Sequence, residues 1–161
     1  MLQAITRQLN GHPADPLPQI FQHDDLGTWN VAVAPDGTIG ILDWDSSRHD
    51  GFPAVDLFYF LAYYGAMLDT ALETADLLQS FVETFFGYGT FARVATGAVQ
   101  RYTDAVALPR GWLGPLFVTC WLQQAILDAA REGISLSDTL AWQMLAVTLE
   151  RDCRLNFLAG A

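Results

Sequence analysis

Apolar positions recur along this chain at two different spacings, and the change from one to the other divides it. Val31 and Val33, then Ile39 and Ile41-Leu42, stand on either side of Pro35-Asp36-Gly37-Thr38. Two-residue alternation about an Asp-Gly turn predicts a short β-hairpin. From residue 53 the spacing lengthens to three and four. Leu57, Phe58, Leu61 and Tyr64 predict a helix, with Pro53 suited to its first turn. Further helical patterns cover residues 69–86, with Asp69 or Thr70 as cap, then 90–107, 112–131 and 138–158. Leu108-Pro109-Arg110-Gly111 interrupts the series, Gly133 stops the fourth pattern, and Ser135 or Ser137 caps the last. Upstream, residues 1–10 read as the tail of a helix stopped by Asn10 and Gly11. Residues 11–18 carry three prolines in eight and predict a loop, as do the polar residues 43–52. The expected architecture is mainly α with a small β-hairpin (α+β), one domain over residues 1–161 whose helical region is 53–158.

Composition sharpens that picture. A length of 161 residues lets a domain bury roughly two-thirds of its unfolded surface, and 52% hydrophobic content argues for a well-filled core. The net charge is −10, all eight basic residues are Arg, and there is no Lys. So acidic a chain repels phosphate backbones and anionic lipid, so neither nucleic acid nor a membrane surface is an expected partner. Cys120 and Cys153 lie in apolar helical patterns without a CxxC pair, as buried thiols of a reducing compartment do. The N-terminal MLQAITRQLN lacks a signal peptide's apolar run, and WLGPLFVTCWL is too short to span a bilayer. A cytoplasmic protein is expected.

Three polar segments interrupt the apolar pattern, in order HDDLGTWN (residues 23–30), ILDWD (41–45) and GFPAVDL (51–57). Phosphoryl transfer from ATP needs a carboxylate to orient or deprotonate the acceptor hydroxyl, and oxygen ligands to hold Mg²⁺ on the phosphates. Kinase-type catalytic loops place the base Asp five residues before a metal-binding Asn, with His two residues before the Asp. A second metal-binding Asp follows a later strand. Asp25, Asn30 and His23 have those spacings, and Asp43 follows the apolar strand ending at Leu42.

These segments resemble the C-terminal lobe of the aminoglycoside phosphotransferase and choline kinase type of kinase-like proteins. That family's pattern is approximately H-G-D-x-x-x-x-N, a hairpin, I-D-W-[ED], then G-x-P-x-x-D-L. The match covers residues 17–60. The resemblance implies a protein-kinase-like C-terminal lobe with Asp25 as catalytic carboxylate and His23 holding the catalytic loop by hydrogen bonds. It implies that Asn30 and Asp43 ligate Mg²⁺ between the phosphates of ATP, and that Asp56 braces the loop from a helix start. Asp24 stands where the pattern usually has Gly. The implied partner is a small-molecule hydroxyl acceptor.

A complete enzyme of this type also carries an N-terminal lobe, with a loop covering the phosphates and a Lys pairing them. Only 22 residues precede His23, without a Gly-rich loop. Two expectations follow: half of a phosphotransferase, incomplete or inactive alone and completed by an N-lobe-bearing partner or a homodimer, or a non-catalytic binding module. Either leaves an apolar face exposed where such a lobe would dock. A competing enzyme class reads His12, His23-Asp24 and Asp43 as the ligand set of a metal-dependent phosphohydrolase. Those ligands sit on helices, whereas loop and strand patterns surround them here. His49-Asp50 and Asp36-Gly37 read as loop and turn polarity, Asp69, Glu73 and Asp76 as a solvated helix face. Trp112, Trp121, Trp142, Tyr59 and Tyr63 read as core.

Overall fold

The computed structural model describes residues 1–10, 16–68, 76–152 and 154–158. The body is helical: α1 (Leu2–Asn10), α2 (Val55–Leu68), α3 (Leu77–Phe86), α4 (Thr90–Ala105), α5 (Leu113–Glu132) and α6 (Leu140–Glu150). Two antiparallel strand pairs lie between α1 and α2. The predicted hairpin joins β2 (Val31–Val33) to β3 (Ile39–Ile41), in register Val31 to Ile41. Gly37, at φ +85°, supplies the left-handed residue this tight turn requires. The fold is therefore mainly α with a small antiparallel β component.

Helix α5 is the axis of the core. Leu113, Leu116, Phe117, Cys120, Trp121 and Ala125 are all buried and recur every three or four residues, so one stripe faces inward along most of its length. Aromatic rings from three other elements close on that stripe. Phe58 of α2 meets Phe117 edge-on at 5.0 Å, Phe85 of α3 does so at 4.8 Å, and Phe81 meets Trp121 at 5.1 Å. Phe157, beyond α6, stacks on Phe58 at 5.5 Å. Edge-on and offset rings are the favoured geometries, and they lock the helices' relative rotation. Among the described residues no helix is long and apolar enough to cross a membrane.

Several sequence expectations shift. Residues 43–52 are not a plain loop. Trp44–Ser46 forms a short 3-10 turn, and β4 (Arg48–Gly51) pairs antiparallel with β1 (Ile20–Gln22). Neither strand has an apolar alternation to announce it. Pro53 lies in a turn two residues before α2 rather than inside it, because Ala54 adopts φ +65° and accepts the first helical hydrogen bond, from Phe58 N. The last helix spans Leu140–Glu150 instead of 138–158, followed by a turn and a 3-10 segment at Asn156–Leu158. Its cap is Thr139, whose Oγ1 accepts from Trp142 N at 3.1 Å; Ser135 precedes the earlier 3-10 turn Leu136–Asp138, and Ser137 lies inside it. Asp76 caps α3, accepting from Gln79 N at 3.2 Å, while Asp69, Thr70 and Glu73 lie outside the described residues. Of the aromatic residues read as core, Trp121 and Tyr59 are buried and Trp112, Trp142 and Tyr63 half-buried. Cys120 is buried, and Cys153 falls outside the described residues.

Candidate functional site

The chain leaves β1 into the loop that carries His23, Asp25 and Asn30. His23 is 2% exposed, and both of its ring nitrogens are engaged. Nε2 lies 2.8 Å from the Leu42 carbonyl, which can only accept, so Nε2 carries the hydrogen. Nδ1 then accepts the Asp25 backbone N–H at 3.3 Å. One imidazole thus ties the loop to the strand end that precedes Asp43.

Behind the loop, the Asp56 carboxylate in the first turn of α2 accepts two backbone donors: His23 N at 2.7 Å and Asp24 N at 3.0 Å. These amides have no strand partner at this point, and an unpaired buried amide is costly. Burial raises the Asp56 carboxyl above its ordinary 3.8, and the two amide hydrogen bonds pull the other way. The position also lies at a helix N-terminus, where a carboxylate is favoured.

Asn30 closes the loop on itself. Its Nδ2 donates to the Asp25 carbonyl at 2.9 Å and to Asp25 Oδ2 at 3.3 Å. Its own carbonyl accepts from Leu42 N at 2.9 Å. Leu42 therefore bonds to both ends of the loop, to His23 through its oxygen and to Asn30 through its nitrogen. Asp43, the next residue, adopts φ +57° and turns the chain out into the exposed 3-10 segment. His23, Asp25, Asn30 and Asp56 form one hydrogen-bonded unit, and Asp43 is one peptide away from its anchor.

The donor set suits a hard divalent cation. Asn30 spends its amide nitrogen on Asp25, which leaves Oδ1 for a metal, and Asp43 offers an exposed carboxylate. Mg²⁺ takes oxygen donors and is commonly held by one or two protein groups, the rest coming from phosphate and water. The described residues contain no cluster of three or more His, Cys, Asp or Glu able to hold a metal. The phosphohydrolase reading fails on His23, which has no nitrogen left for a metal; His12 lies outside the described residues.

Two groups beside the loop were not singled out as site residues. Trp29 is 52% exposed and meets Tyr63 edge-on at 5.1 Å and Tyr59 at 6.2 Å. Its indole crosses the loop where a Cβ on Gly27 would collide with it, so the glycine makes room for the ring. Burial pushes the Tyr59 phenol up, reinforced by Tyr63 and by the charges of Asp25 and Asp128, so it remains a protonated donor. Asp56, Tyr59 and Tyr63 lie three and seven residues apart on α2, a helical-face spacing that could have revealed them. The second group surrounds Asp24, which sits at φ +66°. Its Oδ1 accepts from Gln22 Nε2 and, at 3.1 Å, from Gln123 Nε2, and Arg48 Nε lies 2.9 Å from Oδ2. The departure from Gly at this position was the available signal. His49 is on β4, with its ring 5.0 Å from Phe21.

A family model described as "Phosphotransferase enzyme family" matches residues 1–93, more than half of the chain. No curated protein and no solved structure matches.

Proposed function

The chain belongs to the phosphotransferase enzyme family, and on that premise we propose that it carries the metal-binding and acceptor-activating part of an Mg²⁺-ATP-dependent phosphotransferase. The acceptor is a hydroxyl of a small molecule. Asp25 orients that hydroxyl and takes its proton as the oxygen attacks the γ-phosphorus and the bond to ADP breaks. Asn30 Oδ1 and Asp43 hold Mg²⁺, which supplies positive charge where the phosphoryl oxygens develop negative charge. His23 and Asp56 touch no reactant and hold the loop in place. ATP as donor fits a cytoplasmic setting.

The observation that carries this reading is the loop itself. His23, Leu42 and Asp56 hold the loop so that Asp25 and Asn30 stand side by side, while among the described residues the Asp25 carboxylate receives only the 3.3 Å contact from Asn30. A structural acid would be expected to accept several donors, as Asp56 does. Around this site Phe21, Val33, Ile39, Leu42 and Trp44 stand exposed. That apolar face suits the docking of a phosphate-covering lobe. It equally favours a second reading, a non-catalytic binding module of the same ancestry.

Calorimetric titration with Mg²⁺-ATP separates the two. Binding that is lost in Asp43→Ala supports the metal site, and binding indifferent to that change, or no binding, removes it. Slow γ-phosphoryl transfer to water that persists in Asp25→Ala would exclude Asp25 as the base.

A further inference from the structure

We infer that Asp24 is a positioning residue whose carboxylate latches the catalytic loop to strand β4 and helix α5, and so fixes where Asp25 points. This inference rests on the phosphotransferase reading for its chemical meaning, though the latch itself is a matter of geometry.

Asp24 holds φ +66°, a left-handed conformation that side-chain-bearing residues rarely adopt and Asp or Asn tolerate best. A glycine would take that conformation at less cost, so the side chain needs a reason to be there. Its carboxylate gathers groups from three elements: Gln22 of β1, Arg48 of β4 and Gln123 of α5. Arg48 Nη2 in turn donates to Gln123 Oε1 at 3.3 Å and reaches Gln22 Oε1 at 3.5 Å, closing the ring. Gln22 is fully buried and also accepts from Phe52 N at 2.7 Å. Gly51 lets it in, because a Cβ there would overlap the Gln22 side chain. The Arg48–Asp24 contact is a close approach of charges rather than an aligned hydrogen bond, since Arg48 Nε has no aligned partner.

Two carboxylates thus hold the loop from different directions. Asp56 takes the backbone amides of His23 and Asp24 from behind. Asp24 ties the same segment sideways, and the Arg48 guanidinium offsets the negative charge it adds beside Asp25. The tether on α5 also has a direction. Asp128 lies five residues beyond Gln123 on that helix, and its charge acts on Tyr59 and Tyr63 beside Asp25. Displacing the loop from α5 therefore displaces Asp25 relative to Tyr59, on whose phenol its charge acts.

The test uses the full chain with Asp24→Gly, Asp24→Asn, Arg48→Gln and the Asp24→Gly/Arg48→Gln double variant. Glycine relieves the backbone and removes the latch, so a fall in function cannot be blamed on φ strain. Amide hydrogen exchange should show residues 23–30 losing protection about ten-fold in Asp24→Gly, with the core stripe of α5 unchanged. Asn, which keeps an acceptor for Gln123 but no charge for Arg48, should fall between. With Mg²⁺-ATP and water as acceptor, kcat should drop about ten-fold while the KM for ATP stays within about two-fold. Arg48→Gln should add nothing once Asp24 is gone. Unchanged exchange in residues 23–30, an even loss of protection across the chain, or loosened exchange with wild-type kcat would each overturn the inference. If the wild-type chain turns over no ATP, the phosphotransferase reading fails while the exchange data still decide the latch.

Discussion

Asp56 shows how one carboxylate serves two backbone amides, and its replacement has a defined cost. Asp56→Asn keeps one oxygen but presents an N–H₂ group to the other amide, so one buried donor goes unpaired. The expected loss is about 1–3 kcal/mol in urea unfolding near neutral pH. The pH dependence follows from the raised carboxyl. Just above pH 3.8 the unfolded chain has released this proton while the folded chain retains it. Raising the pH through that window up to the folded value therefore removes native stability, and Asp56→Asn should abolish this component relative to wild type. A second residue-scale prediction concerns Gly27, whose φ of −83° any residue can adopt. Gly27→Ala should cost about 1–3 kcal/mol because its methyl meets the Trp29 ring. In a Trp29→Ala background the penalty should vanish, and a penalty that persists would mean the ring is not the obstacle.

At the scale of elements, helix ends account for what the pattern of residues could and could not reveal. Gly133 was legible as a stop, and it sits at φ +67° with its N–H on the Ala129 carbonyl. Gly133→Ala should destabilise by about 1–2 kcal/mol, while Thr139→Ala, which removes the α6 cap, should cost about 1 kcal/mol; thermal unfolding checks both. The hairpin was legible because alternation and Asp-Gly both act locally. Strands β1 and β4 were not, since each exists only through pairing with a segment remote in sequence. The start of α2 was misplaced for a similar reason. Ala54 is held at positive φ while its N–H is bonded to the Tyr102 hydroxyl on α4, a tertiary contact that no local propensity encodes. The candidate site divides the same way. His23, Asp25, Asn30 and Asp43 could be found from spacing, whereas the Arg48–Gln123–Asp24 contacts depend on packing β4 against α5.

For the whole molecule, charge and apolar surface pull in different directions. The net charge of −10 disfavours association between copies. Yet Val33 and Ile39 are 69% and 67% exposed beside Leu42, Trp44 and Phe21, an arrangement that favours contact. Sedimentation should resolve the balance: self-association that strengthens with salt, as screening weakens the repulsion, and that Ile39→Glu abolishes without lowering the unfolding midpoint. Self-association unchanged in Ile39→Glu would place the interface elsewhere.

The pairing of β1 with β4 has one more consequence, for how the chain could be divided. Everything between Ile20 and Gly51 is held shut at both ends by that pairing, and the Asp36-Gly37 tip projects from the middle. A cut at the tip would part Asn30 from Asp43 along the chain. Each would still be anchored, the first through β1 and the second through β4, with Leu42 N on the Asn30 carbonyl spanning the gap. New termini at Gly37 should therefore be tolerated, and two fragments ending there should reassemble the site by complementation.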